Sequence, residues 1–106
     1  MKIHVKLPDG SVRDLEGKPN RSIMEIIRDA GLPIRAECGG AMACASCHVV
    51  VDDAWLDRAG KATDDENDLL QGSDYKVDGS RLSCQIPLTE KLDGISVTLQ
   101  LDAYEG

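Results

Sequence analysis

The sequence predicts an α+β domain organised around a cysteine-rich loop, and three observations carry this expectation. Residues 2–7 and 95–101 alternate polar and apolar side chains, which is typical of half-buried strands. Between them, Ser22 and Glu25 have the spacing of a capping box, which indicates the start of a helix. Three of the four cysteines lie within ten residues near the middle of the chain.

The other elements follow from turn signals and apolar spacing. Pro8-Asp9-Gly10 indicates a turn, so residues 11–17 are expected to return as the second strand of a hairpin. His4 falls on the polar side of the first strand and is expected to be solvated. The first helix is predicted to stop at Gly31. Its apolar face should pack on the sheet through residues at helical spacing: Ile23, Ile26, Ile27 and Ala30.

The second half of the chain predicts two further strands and a second helix. Residues 49–51 read as a strand, and Trp55 is expected to pack on the core from a short helical connector. Thr63 and Glu66 predict a second capping box. A turn at residues 78–80 should lead into a strand that carries Cys84 and ends at Pro87.

Length and composition place limits on the function. The 106 residues are expected to form one domain, residues 1–106, with an aliphatic core because there is no Phe and only one Trp. A net charge of −7 argues against nucleic-acid binding, which needs clustered Lys and Arg. No uncharged apolar run approaches the roughly 18–20 residues of a membrane span. The N-terminus lacks a secretory signal, so we expect a cytoplasmic protein without a membrane segment.

The cysteines have the spacing C-x5-C-x2-C, with a fourth cysteine after a gap of thirty-six residues. Small residues, including Gly39 and Gly40, surround the first three cysteines and let backbone N–H groups approach an anionic ligand. The spacing resembles the plant-type 2Fe–2S pattern, with one extra residue in the first gap. Disulfides are disfavoured in a cytoplasmic chain. Structural zinc modules usually have two short cysteine pairs, and a thioredoxin-like dithiol should open a helix rather than precede a β-branched run. The pattern therefore favours a 2Fe–2S cluster.

Three segments together resemble the adrenodoxin–putidaredoxin type of bacterial 2Fe–2S ferredoxin: residues 38–48, 63–68 and 80–86. The resemblance implies a β-grasp-like mixed sheet with a packed helix, a cluster-binding loop and an inserted acidic helix. It also implies that one iron binds Cys38 and Cys44 and the other binds Cys47 and Cys84. Gly39 and Gly40 would support the cluster loop.

The resemblance further implies a one-electron carrier that is not itself an enzyme. As a monomer, it would take electrons from an FAD-containing, NAD(P)H-dependent ferredoxin reductase and pass them to a cytochrome P-450-type monooxygenase. A ferredoxin of iron–sulfur cluster assembly shares the cysteine spacing and stays an alternative. A zinc-binding interaction module is a remote alternative from a different class, and it would be colourless.

Residues 52–78 carry nine acidic and three basic side chains, which accounts for −6 of the net charge. The resemblance assigns partner docking to Asp64, Asp65 and Asp68, whereas a solvated helix with favourable N-terminal acids is the simpler interpretation. Gln71 departs from adrenodoxin, which has a further acid at this position. Tyr104 is a candidate for the functional C-terminal aromatic of putidaredoxin-like chains, with a frayed terminus as the alternative.

Two further residues are candidates for supporting the cluster loop. The resemblance implies that His48, next to Cys47, links the loop to the rest of the fold by hydrogen bonds. Ligation by His48 is disfavoured because Rieske-type sites need two histidines. Arg81 either offsets the negative charge of the cluster or forms a salt bridge, and the sequence leaves both roles open.

Overall fold

The computed structural model describes residues 1–35 and 47–104, and its strands form one mixed sheet. The five strands within these ranges are β1 (Lys2–Lys6), β2 (Val12–Glu16), β3 (His48–Val51), β4 (Ser80–Leu82) and β5 (Ile95–Leu99). Their order across the sheet is β2-β1-β5-β3-β4. β1 and β5 run parallel, and the other neighbouring pairs run antiparallel. The α+β class and the mixed sheet expected of a β-grasp fold are confirmed.

The N-terminal hairpin forms as predicted, with Lys2 opposite Glu16 at its open end. Asp9 stabilises the turn, because its carboxylate accepts hydrogen bonds from the hydroxyl and the backbone N–H of Ser11 at 2.6 and 2.8 Å. These bonds, the one from the hydroxyl first, lower the pKa of Asp9. His4 lies on the outer face of β1 with its side chain 39% exposed, and it pairs with Asp14 on β2.

The first helix, α1 (Ile23–Asp29), begins with the capping box that the sequence predicts. The hydroxyl of Ser22 accepts from the Glu25 N–H at 3.1 Å, and the Glu25 carboxylate accepts from the Ser22 N–H at 3.2 Å. The expected apolar face is correct except at Ala30, which is exposed at the C-terminal cap, while Met24 is buried instead.

The core is aliphatic and lies between α1 and one face of the sheet. Its fully buried larger side chains come from α1, the strands, the later helix at Asp64–Gln71 and the segment after β4: Ile3, Ile23, Met24, Ile27, Leu70, Leu82, Ile86, Leu88, Ile95 and Leu99. Trp55 is partly buried against this core, as expected, and the guanidinium of Arg58 lies 4.9 Å from its ring centroid.

Two short helices follow β3. A 3-10 turn, Asp53–Trp55, leads into α2 (Leu56–Ala59), and α3 (Asp64–Gln71) comes next. The predicted second capping box is only half formed. Thr63 caps the Glu66 N–H at 3.3 Å, but the Glu66 side chain turns inward and is 1% exposed.

Two predicted strand boundaries are wrong. β4 ends at Leu82, so Cys84 lies in a single 3-10 turn, Ser83–Gln85, rather than on a strand. β5 ends at Leu99, and a further 3-10 turn, Leu101–Ala103, follows it. Within residues 1–35 and 47–104, no helix has the length and apolar character needed to cross a membrane.

Candidate metal centre

Cys47 and Cys84 are separated by thirty-six residues of sequence but meet in space. Cys47 directly precedes β3 and is 1% exposed, and Cys84 is half-buried. Their Sγ atoms are 3.4 Å apart, well beyond the disulfide bond length of about 2.05 Å. Two sulfurs bound at about 2.3 Å to one tetrahedral metal lie about 3.8 Å apart. The pair therefore fits two ligands of the same metal ion after a small adjustment.

The environment of this pair favours the thiolate form at Cys84. A hydrogen bond from the Cys47 thiol, partly offset by burial, lowers the pKa of Cys84 to about 6. The thiolate is the form that binds metals. Cys38 and Cys44, together with Gly39 and Gly40, lie outside the described residues. Within the described ranges, no group of three or more potential metal-binding side chains lies together.

Ser83 fixes the two cysteine-bearing segments to each other. Its backbone N–H and its hydroxyl both donate to the carbonyl oxygen of Cys47, at 3.0 and 2.7 Å. Ser83 is fully buried, so these bonds are shielded from water. The sequence interpretation did not identify this residue, although its position directly before Cys84 was a usable signal.

His48 is fully buried beside Cys47 and joins β3 to the chain that follows α3. Its Nε2 lies 2.7 Å from the Ser80 hydroxyl on β4, and its Nδ1 lies 3.4 Å from the Ser73 hydroxyl. Ser80 in turn accepts from the Val77 N–H at 2.9 Å. The imidazole thus connects the start of β3 with the segment between α3 and β4.

Arg81 and Glu66 form a buried ion pair that attaches α3 to β4. Arg81 Nε donates to Glu66 Oε2 at 2.6 Å, and Arg81 Nη2 donates to Oε1 at 3.3 Å. The same carboxylate accepts from the Leu82 N–H at 2.9 Å, two residues before Cys84. The Arg81 guanidinium also donates to the carbonyls of Ala59 and Gly60, both at 3.0 Å. Its charge is therefore compensated by Glu66 within the protein.

The predicted docking acids share the exposed side of α3. Asp64, Asp65 and Asp68 are all exposed, and none forms an ion pair with another described residue. Gln71 is exposed at the end of the same helix. The helix therefore presents a free acidic surface while Glu66 anchors its opposite side.

The backbone of Tyr104 is held in place beside Ile34 and Arg35, which precede Cys38 in the sequence. Tyr104 forms a β-bridge with Ile34, and its carbonyl oxygen accepts from Arg35 Nε at 3.3 Å. The Arg35 N–H donates to the Ala103 carbonyl oxygen at 2.9 Å. The Tyr104 side chain is partly buried against the core, whereas Leu101 nearby in sequence is 51% exposed.

A second residue that the sequence interpretation missed contacts a candidate ligand directly. The side-chain amide of Gln85 donates to Cys84 Sγ at 3.4 Å. Gln85 is partly exposed, so this contact lies near the protein surface. The only signal for Gln85 in the sequence was its place in residues 80–86, one of the segments that carry the family resemblance.

Comparison with known proteins gives one consistent result. A family model described as the 2Fe–2S iron–sulfur cluster binding domain matches residues 7–89. Terpredoxin from Pseudomonas sp is 41% identical over 91 residues, which cover 84% of this chain and 86% of terpredoxin. The crystal structure of a ferredoxin from Rhodopseudomonas palustris HaA2 superposes with a TM-score of 0.93 and 36% identity, covering 97% of this chain and 99% of that one. A chain from the covalent putidaredoxin reductase–putidaredoxin complex superposes with a TM-score of 0.89 and 36% identity, covering 93% of this chain and 97% of that one.

Proposed function

Because the chain belongs to the family of 2Fe–2S ferredoxins, which are electron carriers rather than enzymes, we propose that Cys38, Cys44, Cys47 and Cys84 bind its 2Fe–2S cluster. The observation that carries this proposal is the 3.4 Å separation of Cys47 Sγ and Cys84 Sγ in a site without a disulfide. When bound, the cluster takes up and releases one electron. Cys47 and Cys84 are assigned to one iron, and Cys38 and Cys44 to the other.

The protein residues around this pair supply position and shielding. Ser83 donates to the Cys47 carbonyl oxygen and so holds the backbone of Cys47. His48, directly after Cys47, is fully buried and hydrogen-bonds to Ser80. Cys84 is on the more exposed side, since it is half-buried while Cys47 is almost completely buried. We therefore propose that electrons enter and leave the cluster on the side of Cys84.

Single Cys→Ser substitutions test the ligand assignment. Each should abolish the cluster or change its visible absorption and its EPR signal after reduction with dithionite, because an alkoxide or hydroxyl replaces a soft thiolate. Ser83→Ala is the control, since it removes a hydrogen bond but no proposed ligand. A Cys84→Ser protein with the cluster content and the EPR spectrum of the unsubstituted protein would contradict the assignment.

The proposed partners are an FAD-containing, NAD(P)H-dependent ferredoxin reductase and a cytochrome P-450-type monooxygenase. Support comes from the likeness to putidaredoxin, whose complex with putidaredoxin reductase has been solved, and from the likeness to terpredoxin. The free acidic side of α3 also supports this proposal, because clustered charge speeds the encounter with a basic partner by about 10–10³-fold. Asp64, Asp65 and Asp68 would form that docking surface.

Charge reversal at Asp68 tests the docking surface. Asp68→Lys should slow reduction by the reductase and oxidation by the monooxygenase at low salt. The difference should shrink at high salt, because ions screen exposed charges. Glu16→Lys is the matched control: it changes the net charge equally but lies on β2, at the sheet edge opposite β4. Equal rates for Asp68→Lys and Glu16→Lys would refute a specific acidic surface.

Tyr104 is proposed as a second docking element. Its β-bridge with Ile34 holds it next to the chain that leads into the Cys38 segment. Tyr104→Ala should lower the rate of electron transfer to the monooxygenase while leaving the midpoint potential and the cluster content unchanged. Tyr75→Ala is the control, because this second tyrosine is 43% exposed and is not part of the proposed docking surface. An unchanged rate for Tyr104→Ala would remove this residue from the docking surface.

A further inference from the structure

Among the described residues, Gln85 is the one whose side-chain amide donates to a candidate ligand sulfur. Its Nε2 lies 3.4 Å from Cys84 Sγ, a normal distance for a hydrogen bond to sulfur. The bond is local, because Gln85 follows Cys84 in the same 3-10 turn, and the Ile86 N–H closes the backbone of that turn on the Ser83 carbonyl at 3.4 Å.

We propose that the Gln85 amide raises the reduction potential of the cluster by donating this hydrogen bond to Cys84. The inference rests on the proposed role of Cys84 as a ligand. Adding an electron makes the cluster and its sulfurs more negative, so an N–H directed at one sulfur stabilises the reduced state more than the oxidised state. Gln85 is thus a positioning and tuning residue and not a ligand.

Two features of the site make this contact effective. Cys84 is half-buried, so water screens the bond only in part. The amide Nε2 lies 3.4 Å from the sulfur itself, so its N–H acts directly on an atom that carries part of the added charge. Because Gln85 is partly exposed, it can be replaced without opening a large cavity in the core.

The test is the midpoint potential of the full, cluster-loaded protein. Gln85→Met keeps the length of the side chain but has no N–H. The hydrogen bond exists in both oxidation states, so only the difference in its strength counts. A difference of about tenfold is slightly less than the whole worth of a hydrogen bond to a charged group. We therefore expect the reduction equilibrium to shift about tenfold towards the oxidised form, a fall of about 59 mV for one electron. Gln71→Met is the control, because it removes an exposed side-chain amide at the end of α3 that is not hydrogen-bonded to the described cysteines, Cys47 and Cys84.

Gln85→Glu provides a second variant of nearly the same shape. The carboxylate that this variant introduces cannot donate a hydrogen bond and adds negative charge next to Cys84. At neutral pH, the midpoint potential of the Gln85→Glu protein should therefore be lower than that of Gln85→Met. Resonance Raman spectra give an independent readout: a deuterium shift of an Fe–S stretch in the unsubstituted protein should decrease in both variants.

The outcomes separate this inference from the ligand assignment. If both Gln85 variants keep the cluster and match the potential of Gln71→Met, the tuning role is refuted while the ferredoxin function stands. If Cys84→Ser leaves the cluster spectrum unchanged, the ligand assignment itself is refuted. If Gln85→Met loses its cluster, the deuterium shift of the Fe–S stretch in Gln85→Glu decides. A smaller shift supports the proposal, and an unchanged shift overturns it.

Discussion

Replacement of Glu66 by Gln should destabilise the protein far more than a substitution on the exposed side of α3. The Glu66 carboxylate is 1% exposed and accepts three hydrogen bonds, two from Arg81 and one from the Leu82 N–H. In Gln only one of the two side-chain end groups, the carbonyl oxygen, can accept hydrogen bonds. The –NH₂ group would face one of the donors that now bind the Glu66 carboxylate. Hydrogen bonds to charged groups contribute about 1.5–3 kcal/mol each. If the Gln carbonyl keeps one of the three bonds, loss of the other two costs about 3–6 kcal/mol. This range overlaps the cost of about 3–5 kcal/mol for breaking a buried ion pair by removing one partner.

The assay is urea unfolding of the cluster-loaded protein, followed by far-UV circular dichroism and by visible absorption of the cluster. A loss of about 3–5 kcal/mol corresponds to a fall in Tm of more than about 12 °C for a domain of this size. Asp68→Asn is the control on the same helix, and as a surface substitution it should change the free energy of unfolding by less than about 0.5 kcal/mol.

A double-mutant cycle distinguishes the ion pair from the general burial of Glu66. Arg81→Met alone leaves Glu66 charged and buried without its partner. It should therefore lower the free energy of unfolding as much as Glu66→Gln does. The combined variant should cost clearly less than the sum of the two, because neither charge is then left unpaired. Additive effects, or a loss of less than about 1 kcal/mol for Glu66→Gln, would refute the role given to this pair.

Three further substitutions test the scaffold by urea unfolding. Ser22→Ala removes the hydroxyl that caps α1 and should cost about 1 kcal/mol. Gly79→Ala should cost at least about 1–2 kcal/mol, because Gly79 has a φ of +87° and an added Cβ would lie 3.0 Å from the Val51 carbonyl oxygen. Glu25 has a lowered pKa because of its hydrogen bonds from Ser22, so the stability that its carboxylate adds is present at neutral pH and is lost as the pH falls through that lowered value. Glu25→Gln should therefore have a lower free energy of unfolding than the unsubstituted protein at pH 7. A difference in the free energy of unfolding that is equally large in acid would contradict this.

The sequence predicted the elements whose signals are local. The capping box at Ser22 and the turn at Asp9 both depend on side chains that bond within a few residues, and both form as expected. The burial of Ile23, Ile26 and Ile27 followed from helical spacing alone. Family resemblance supplied the fold name and the cofactor, which spacing by itself left among several alternatives.

Long-range pairing explains what the sequence did not predict. Glu66 had the spacing of a capping residue, but its carboxylate binds the Arg81 guanidinium instead of the Thr63 N–H. Arg81 offers two charged donors in a buried position. Cys84 was expected on a strand, yet Ser83 donates twice to the Cys47 carbonyl and turns the chain into a 3-10 conformation. Neither partner is adjacent in sequence, so no local pattern reveals these contacts.

The buried ion pair also accounts for how the proposed docking surface keeps its position relative to the candidate ligand. A buried pair contributes little net stability compared with apolar residues of similar volume, so its benefit lies in geometry. The Glu66 carboxylate satisfies the two Arg81 donors and the Leu82 N–H together only when α3 and β4 are correctly aligned. Leu82 is two residues from Cys84, so the exposed acids of α3 and this sulfur belong to one connected unit. A partner that binds Asp68 therefore meets Cys84 in a fixed arrangement, which suits a carrier whose complexes are brief.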